Sequence, residues 1–386
     1  MPVKLSVLAL PTGSRSAGRA LETATIAVAR NRAHMSEHKE AVVVGALGVI
    51  GRYIVERLLR QDDWSVIGLS RRAVDAVPRY RHISVDLLDR EDVEVKLAGL
   101  TEATHVFYAS FQPAAGAAAG YASNVAPNRD MLINAVTAID NASSALRRVV
   151  LVTGTKYYGS HLGPFKTPAR ESDPRHMGPN YYFEQIDWLA AFQCGKRWDW
   201  VELRPQTLCG FAPGTPMSLA GDRGLRRDQQ GAWVAASFPG KPGAYTSIYQ
   251  VTESAHFANA ALWAASTPRC GLEAFNITNG DYFRWKNLWP KLAAAFDMLA
   301  GDVQTISLTA HMVDNAPLWR VMTEKYGLKR YAYDELAAAR QLPLCFVSDR
   351  GCVAAQYVAK GQLRTSPCRR GDTANSSTGS PARNTR

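Results

Sequence analysis

The sequence predicts an α/β protein built on a doubly wound parallel sheet, and three observations carry that expectation. Strand-like apolar runs alternate with segments of helical period from Glu40 onward, the pattern of parallel strands joined by crossover helices. The first strand breaks into glycines spaced G-x-x-G-x-x-G and passes directly into a helix. At 386 residues and 46% apolar, the chain can bury one large core with a smaller lobe beside it.

Residues 1–38 hold Ser, Thr, Ala and Arg, few acids and no lasting period, so a disordered N-terminal extension is expected there. An Arg-rich, acid-poor leader also suits a transit peptide. Met35-Ser36-Glu37, just before the first strand, reads as the natural start and is preferred. A strand over 41–45 then enters a helix over 50–60 whose Ile50, Ile54, Val55, Leu58 and Leu59 share one face. Gly45 allows the turn, Gly48 lets a pyrophosphate approach the backbone, and Gly51 lets helix and strand pack closely. Gly45, Leu47, Gly48, Val49, Ile50 and Gly51 thus form a candidate dinucleotide loop at a helix N-terminus.

The second strand, Trp64 to Leu69, ends in Ser70-Arg71-Arg72 rather than in an acid. A carboxylate there would bind a ribose 2′-hydroxyl, whereas guanidinium groups suit the 2′-phosphate of NADP. A third strand over 81–85 leads to Asp86-Leu87-Leu88-Asp89, which marks the adenine pocket or simply the N-cap of a helix over 90–98. The fourth strand, His105 to Ser110, brings Ala109 and Ser110 to the cofactor edge. A helix over 123–139 follows, with Met131, Leu132, Ala135, Val136 and Ile139 on one face. The fifth strand runs from Arg148 to Thr153. Chemistry is expected after it, because ligands of such sheets lie across the strand C-terminal ends. Thr153-Gly154-Thr155-Lys156-Tyr157-Tyr158-Gly159 stands there, before a helix from about Asn180 to Cys194 and a strand over 201–205.

Charge and cysteine content exclude other classes. The net charge of +11 is carried by the ends: residues 1–34 hold +4 and 351–386 hold +5, leaving +2 for the body, which argues against nucleic-acid binding. No run approaches the roughly 18 apolar residues of a spanning helix, so a cytoplasmic protein without membrane contact is expected. Six scattered cysteines, without C-x-x-C or a His cluster, read as reduced thiols and give no metal site.

The glycine loop, Ser70-Arg71-Arg72, Thr104 to Tyr108, Thr153 to Gly159, Gly163-Pro164-Phe165, Asn180-Tyr181-Tyr182, Ala274 to Asp281 and Trp285 to Trp289 together resemble the progesterone 5β-reductase and iridoid synthase-like (PRISE) branch of the short-chain dehydrogenases/reductases. The match is collinear over about residues 40–335. It implies an extended Rossmann fold, NADPH as cofactor, and reduction of an activated C=C bond beside a carbonyl, with a small carbonyl-conjugated molecule as substrate and a homodimer allowed for. The usual Tyr-x-x-x-Lys is missing, because Ile186 stands four residues after Tyr182. By resemblance Lys156 is the catalytic lysine and Tyr182 the catalytic tyrosine. Tyr181 replaces a family Phe and Phe183 a family Tyr, so a register slipped by one would make Tyr181 the acid. Tyr158, Phe165 and Tyr181 are expected around the substrate, and Thr153, Lys156 and Tyr182 also beside the cofactor.

The expected organisation is an extension over 1–38, an NADP-binding domain over 39–210, a partly interleaved substrate lobe over 211–340 and a basic low-complexity tail over 341–386. Two stretches lose the pattern. Residues 221–237 carry charges without amphipathic period where the family has an apolar helix. After Ala338 a Ser, Thr, Gly, Pro and Arg tail replaces an aromatic segment; both read as an altered reading frame. Two alternatives stand beside the reductase: a non-catalytic NADP-binding sensor, and an extended short-chain epimerase or dehydratase.

Overall fold

The computed structural model describes residues 38–113, 121–213, 235–306 and 315–333. Seven parallel strands form its centre: β1 (Lys39–Val44), β2 (Trp64–Ser70), β3 (Tyr80–Ser84), β4 (Ala103–Tyr108), β5 (Arg148–Val152), β6 (Asp199–Pro205) and β7 (Glu273–Ile277), in the order 7-6-5-4-1-2-3. Between them lie α1 (Gly51–Leu59), α2 (Arg90–Leu97), α3 (Val125–Ala142), α4 (Tyr181–Gln193) and α5 (Ser254–Ser266). This is a doubly wound α/β sheet of the Rossmann type, as the alternation of periods implied.

β1 shows why these residues make a central strand. Ala41, Val42, Val43 and Val44 are all fully buried, because the strand is covered on both faces. Val42 and Val44 pack with Leu132, Val136 and Leu189 on one side of the sheet. Ala41 and Val43 pack with Ile54, Leu58, Phe257 and Ala261 on the other. β1 pairs with β2 on one edge and β4 on the other, so the strand order reverses at β1 and opens a crevice at its C-terminal end.

Element edges differ from expectation by a few residues. β4 ends at Tyr108, because its partner β1 ends at Val44, where Gly45 turns the chain away; Ala109 and Ser110 therefore lie in the loop past the strand. The helix expected over 123–139 begins as a single turn, Tyr121–Asn124, and continues as α3 to Ala142. Cys270 is a free thiol, but Cys194 is disulfide-bonded, which departs from the reading of all six cysteines as reduced.

A smaller core gathers Phe238, Ala244 and Tyr249 around Trp285 and Trp289 of α6 (Trp285–Ala294). The expectation for residues 221–237 lies outside the described residues except at its end, where Ala236–Phe238 forms a short strand paired with Ala300–Val303. The expectations for 1–37 and for the tail after Ala338 also lie outside them. Among the described residues no helix is long and apolar enough to cross a membrane.

Candidate active site

The glycine loop is shaped by close backbone contacts. Gly45 has φ +84°, and a Cβ there would stand 2.9 Å from the Ala109 carbonyl oxygen. A Cβ on Gly51 would overlap the Gly45 carbonyl oxygen, so helix and turn meet only because Gly51 lacks one. The Gly45 and Ala46 amides donate to the Leu69 carbonyl and the Gly48 amide to the Gly45 carbonyl, which fixes a tight turn at the N-terminus of α1, a place that suits a pyrophosphate. Leu47, Val49 and Ile50 complete this turn, with Val49 buried.

At the end of β2, Arg71 and Arg72 are exposed. Ser70 Oγ meets the Arg72 carbonyl at 2.8 Å and His82 Nε2 at 2.9 Å, and His82 in turn meets the Arg72 carbonyl at 2.9 Å. Ser84 Oγ donates to the Arg71 carbonyl at 2.8 Å. The backbone of both arginines is thus pinned by β3; Arg72 Nη2 donates to the Pro213 carbonyl at 3.2 Å, and exposed guanidinium groups on a fixed loop suit a phosphate. His82, whose Nδ1 also meets the Tyr80 hydroxyl at 2.6 Å, was not singled out in the sequence, since its partners Ser70 and Arg72 lie ten and more residues away. Of the two acids after β3, Asp89 caps α2 by accepting from the Asp92 amide at 3.1 Å, while exposed Asp86 accepts from the Leu88 amide. Leu87 is buried, and its carbonyl accepts from Asn134.

The chemistry-bearing residues converge past β5. Lys156 lies in the single helical turn Thr155–Tyr158, and Tyr182 in the first turn of α4. Buried Asn180 caps α4 by accepting from the Tyr182 amide at 3.0 Å, and its Nδ2 donates to the Lys156 carbonyl at 2.9 Å. The Tyr182 hydroxyl stands 3.3 Å from where a Cβ of Gly154 would be, so a glycine leaves room for it at the end of β5. Burial pushes the Tyr182 phenol up to about 12, the Tyr181 hydroxyl beside it pulling the other way and the Glu202 charge adding to the rise. Burial also lowers the Lys156 ammonium, whose Nζ lies 5.8 Å from the Phe111 ring centroid and 5.4 Å from that of Tyr121. A protonated phenol and a partly desolvated cation, walled by aromatics, can stabilise negative charge on a ligand oxygen.

Residues 41–340 match the PRISE-like Rossmann-fold domain. The chain belongs to that family. It is 33% identical over 310 residues to an (S)-8-oxocitronellyl enol synthase of Nepeta cataria, covering 75% of this chain and 78% of the other. It is 30% identical over 320 residues to the 3-oxo-Delta(4,5)-steroid 5-beta-reductase of Arabidopsis thaliana, covering 77% and 80%. A short chain dehydrogenase of Penicillium aethiopicum is 31% identical over 322 residues, covering 75% and 83%. These relatives are short-chain oxidoreductases. In fold the chain is similar to the UDP-glucuronic acid 4-epimerase of Bacillus cereus in complex with NAD, with TM-score 0.54 at 15% identity over 78% of this chain and 97% of that one.

Within this PRISE-like site the remaining expected residues are unequally placed. Tyr181 is buried, its ring 4.4 Å from that of Tyr182 and stacked on Phe111 at 5.4 Å. Phe165 stacks on Tyr158 at 6.3 Å. Tyr158 itself is buried with its hydroxyl committed to Asn276 Oδ1 at 2.8 Å and to the Arg204 guanidinium at 3.0 Å, so it offers a ligand no free hydroxyl. Thr153 likewise spends its hydroxyl on Glu202 at 2.6 Å. Sequence reasoning missed Phe111 and Tyr121 as parts of the site. Asn180 stood in the quoted motif with Tyr181 and Tyr182, as an N-cap residue before a helix, but was given no role.

Proposed function

We propose that the protein is an NADPH-dependent reductase of an activated C=C bond in a small enone or enal. One observation carries this reading: the Asn180 amide bonds both the Lys156 turn and the first turn of Tyr182's helix, in an aromatic-walled crevice at the sheet's C-terminal edge. The steroid 5-beta-reductase and enol synthase relatives support the same class of substrate.

NADPH, when bound, supplies the hydride that adds to the carbon β to the carbonyl. Gly45, Gly48 and Gly51 would hold its pyrophosphate, and Arg71 and Arg72 its 2′-phosphate. Tyr182, kept protonated at neutral pH, donates a hydrogen bond to the substrate carbonyl oxygen, where enolate charge develops. Lys156 would add a positive charge beside that oxygen and bind the nicotinamide ribose. The Phe111 and Tyr121 rings face the Lys156 ammonium and favour its charge in the same region.

The test is NADPH oxidation with a panel of enones and enals, run beside NADPH binding and interconversion of UDP-glucose. Turnover of an enone supports the proposal. Binding without any turnover favours a sensor, and turnover of UDP-glucose alone an epimerase.

A further inference from the structure

Where a tyrosine and a lysine stand four apart on one helix, the helix itself fixes their spacing, because positions i and i+4 share a face. Here Lys156 and Tyr182 come from different elements, and something else must hold them. Asn180 has the required geometry. It is 2% exposed, and its amide is used on both sides. Oδ1 accepts from the Tyr182 N–H at 3.0 Å and from the Tyr121 hydroxyl at 3.3 Å. Nδ2 donates to the Lys156 carbonyl at 2.9 Å and to His176 Nε2 at 3.1 Å, the latter leaving His176 Nδ1 to donate to the Met177 carbonyl at 2.7 Å. The orientation of the amide is fixed, since one side faces an N–H and the other a carbonyl.

An N-cap needs only the oxygen. The nitrogen side is surplus to capping, and it reaches 24 residues back to Lys156. We propose that Asn180 is a positioning residue, which holds the Lys156 turn against the first turn of α4 in place of single-helix geometry. This inference rests on the reading of Lys156 and Tyr182 as the reacting pair.

Asn180→Asp separates the two roles. A carboxylate caps a helix as well as an amide does and keeps both acceptor contacts, but it cannot donate to the Lys156 carbonyl. With 2-cyclohexen-1-one and NADPH, kcat should fall about 10- to 100-fold with KM little changed, because small misplacement of reacting groups costs that much. NADPH should bind about 3- to 10-fold more weakly, by fluorescence titration, and the melting temperature should fall, because the new carboxylate is buried beside the Lys156 carbonyl. Asn180→Ser, which also caps but is too short to reach Lys156, serves as second variant should the carboxylate repel that carbonyl and unfold the protein. Unmutated kcat and NADPH affinity in a folded Asp or Ser variant would overturn the proposal. Lys156→Ala and Tyr182→Phe are the controls. If both keep full rate, the reading of the pair is lost; if both lose it and the Asn180 variants do not, only this inference is.

Discussion

Glu202 and Arg204 form an ion pair of 2.6 Å in the interior, at 1% and 4% exposure, two residues apart on β6 and so on one face of that strand. Glu202 also accepts from Thr153 on β5's exit, and Arg204 reaches Tyr158 and the Glu171 carbonyl, with its guanidinium 3.4 Å from the Tyr157 ring centroid. Burial works against the Arg204 charge, but the Glu202 carboxylate more than restores it. The pair ties β5, β6 and the Lys156 turn together.

Removing one partner should therefore be worse than removing both. Arg204→Met leaves Glu202 buried and unpaired, which costs about 3–5 kcal/mol. Arg204→Met with Glu202→Gln should cost clearly less than the sum of the single changes. Denaturant unfolding measures both, and additive losses would show that the two charges act independently.

Tyr182→Phe should lower reduction by about 100-fold or more while NADPH affinity stays near that of the unmutated protein, because the hydroxyl acts on charge found mainly in the transition state. The buried Tyr181 hydroxyl acts on the Tyr182 phenol, so Tyr181→Phe should cost clearly less rate than Tyr182→Phe. A dead Tyr181→Phe beside an active Tyr182→Phe would reverse the roles.

Gly51→Ala should be poorly tolerated, since the added carbon overlaps backbone rather than a movable side chain. The expected result is a lower melting temperature together with NADPH binding weakened beyond about 10-fold, as helix and loop separate. Gly48→Ala has more room, its Cβ 3.3 Å from the Gly45 carbonyl oxygen, and should keep the fold while weakening the cofactor. Calorimetry and fluorescence titration distinguish the two.

Arg71→Ala with Arg72→Ala should remove most of a preference for NADPH over NADH. One charge-assisted contact to a 2′-phosphate contributes roughly 1.5–3 kcal/mol, equivalent to about 10- to 100-fold. The loss should come from weaker NADPH binding. Equal NADH and NADPH affinity in the unmutated protein would reduce the pair to solvated surface.

Stability should fall on acidification in a defined window. Burial lowers His105 to about 3, with Arg147, Lys39 and Arg148 adding to the effect, and burial lowers His161 to about 4. Below about 6.5 the unfolded chain takes up protons that these folded imidazoles refuse, so stability present above 6.5 is lost as pH falls toward 4 and 3. His105→Asn should flatten that slope in melting curves between pH 6.5 and 4. An unchanged slope would move the cause to other groups.

The sequence by itself determined the sheet, the order of its first elements and the glycine loop, because these depend on local signals. Two-sided burial writes a continuous apolar run at 41–44, and a turn with no space for a Cβ writes Gly45 and Gly51. It also named Lys156 and Tyr182, through motifs matched one by one. What only the tertiary structure decided is how those residues are held and which neighbours are free. Asn180 meets Lys156 across 24 residues, Thr153 meets Glu202 across 49, and Tyr158 meets Asn276 across 118. Thr153 and Tyr158, expected beside cofactor and substrate, thereby have their hydroxyls on buried partners. Such pairings follow from which strand ends lie side by side, and period, composition and spacing carry no trace of them, because hydrogen bonds between distant segments exist only once the chain has folded.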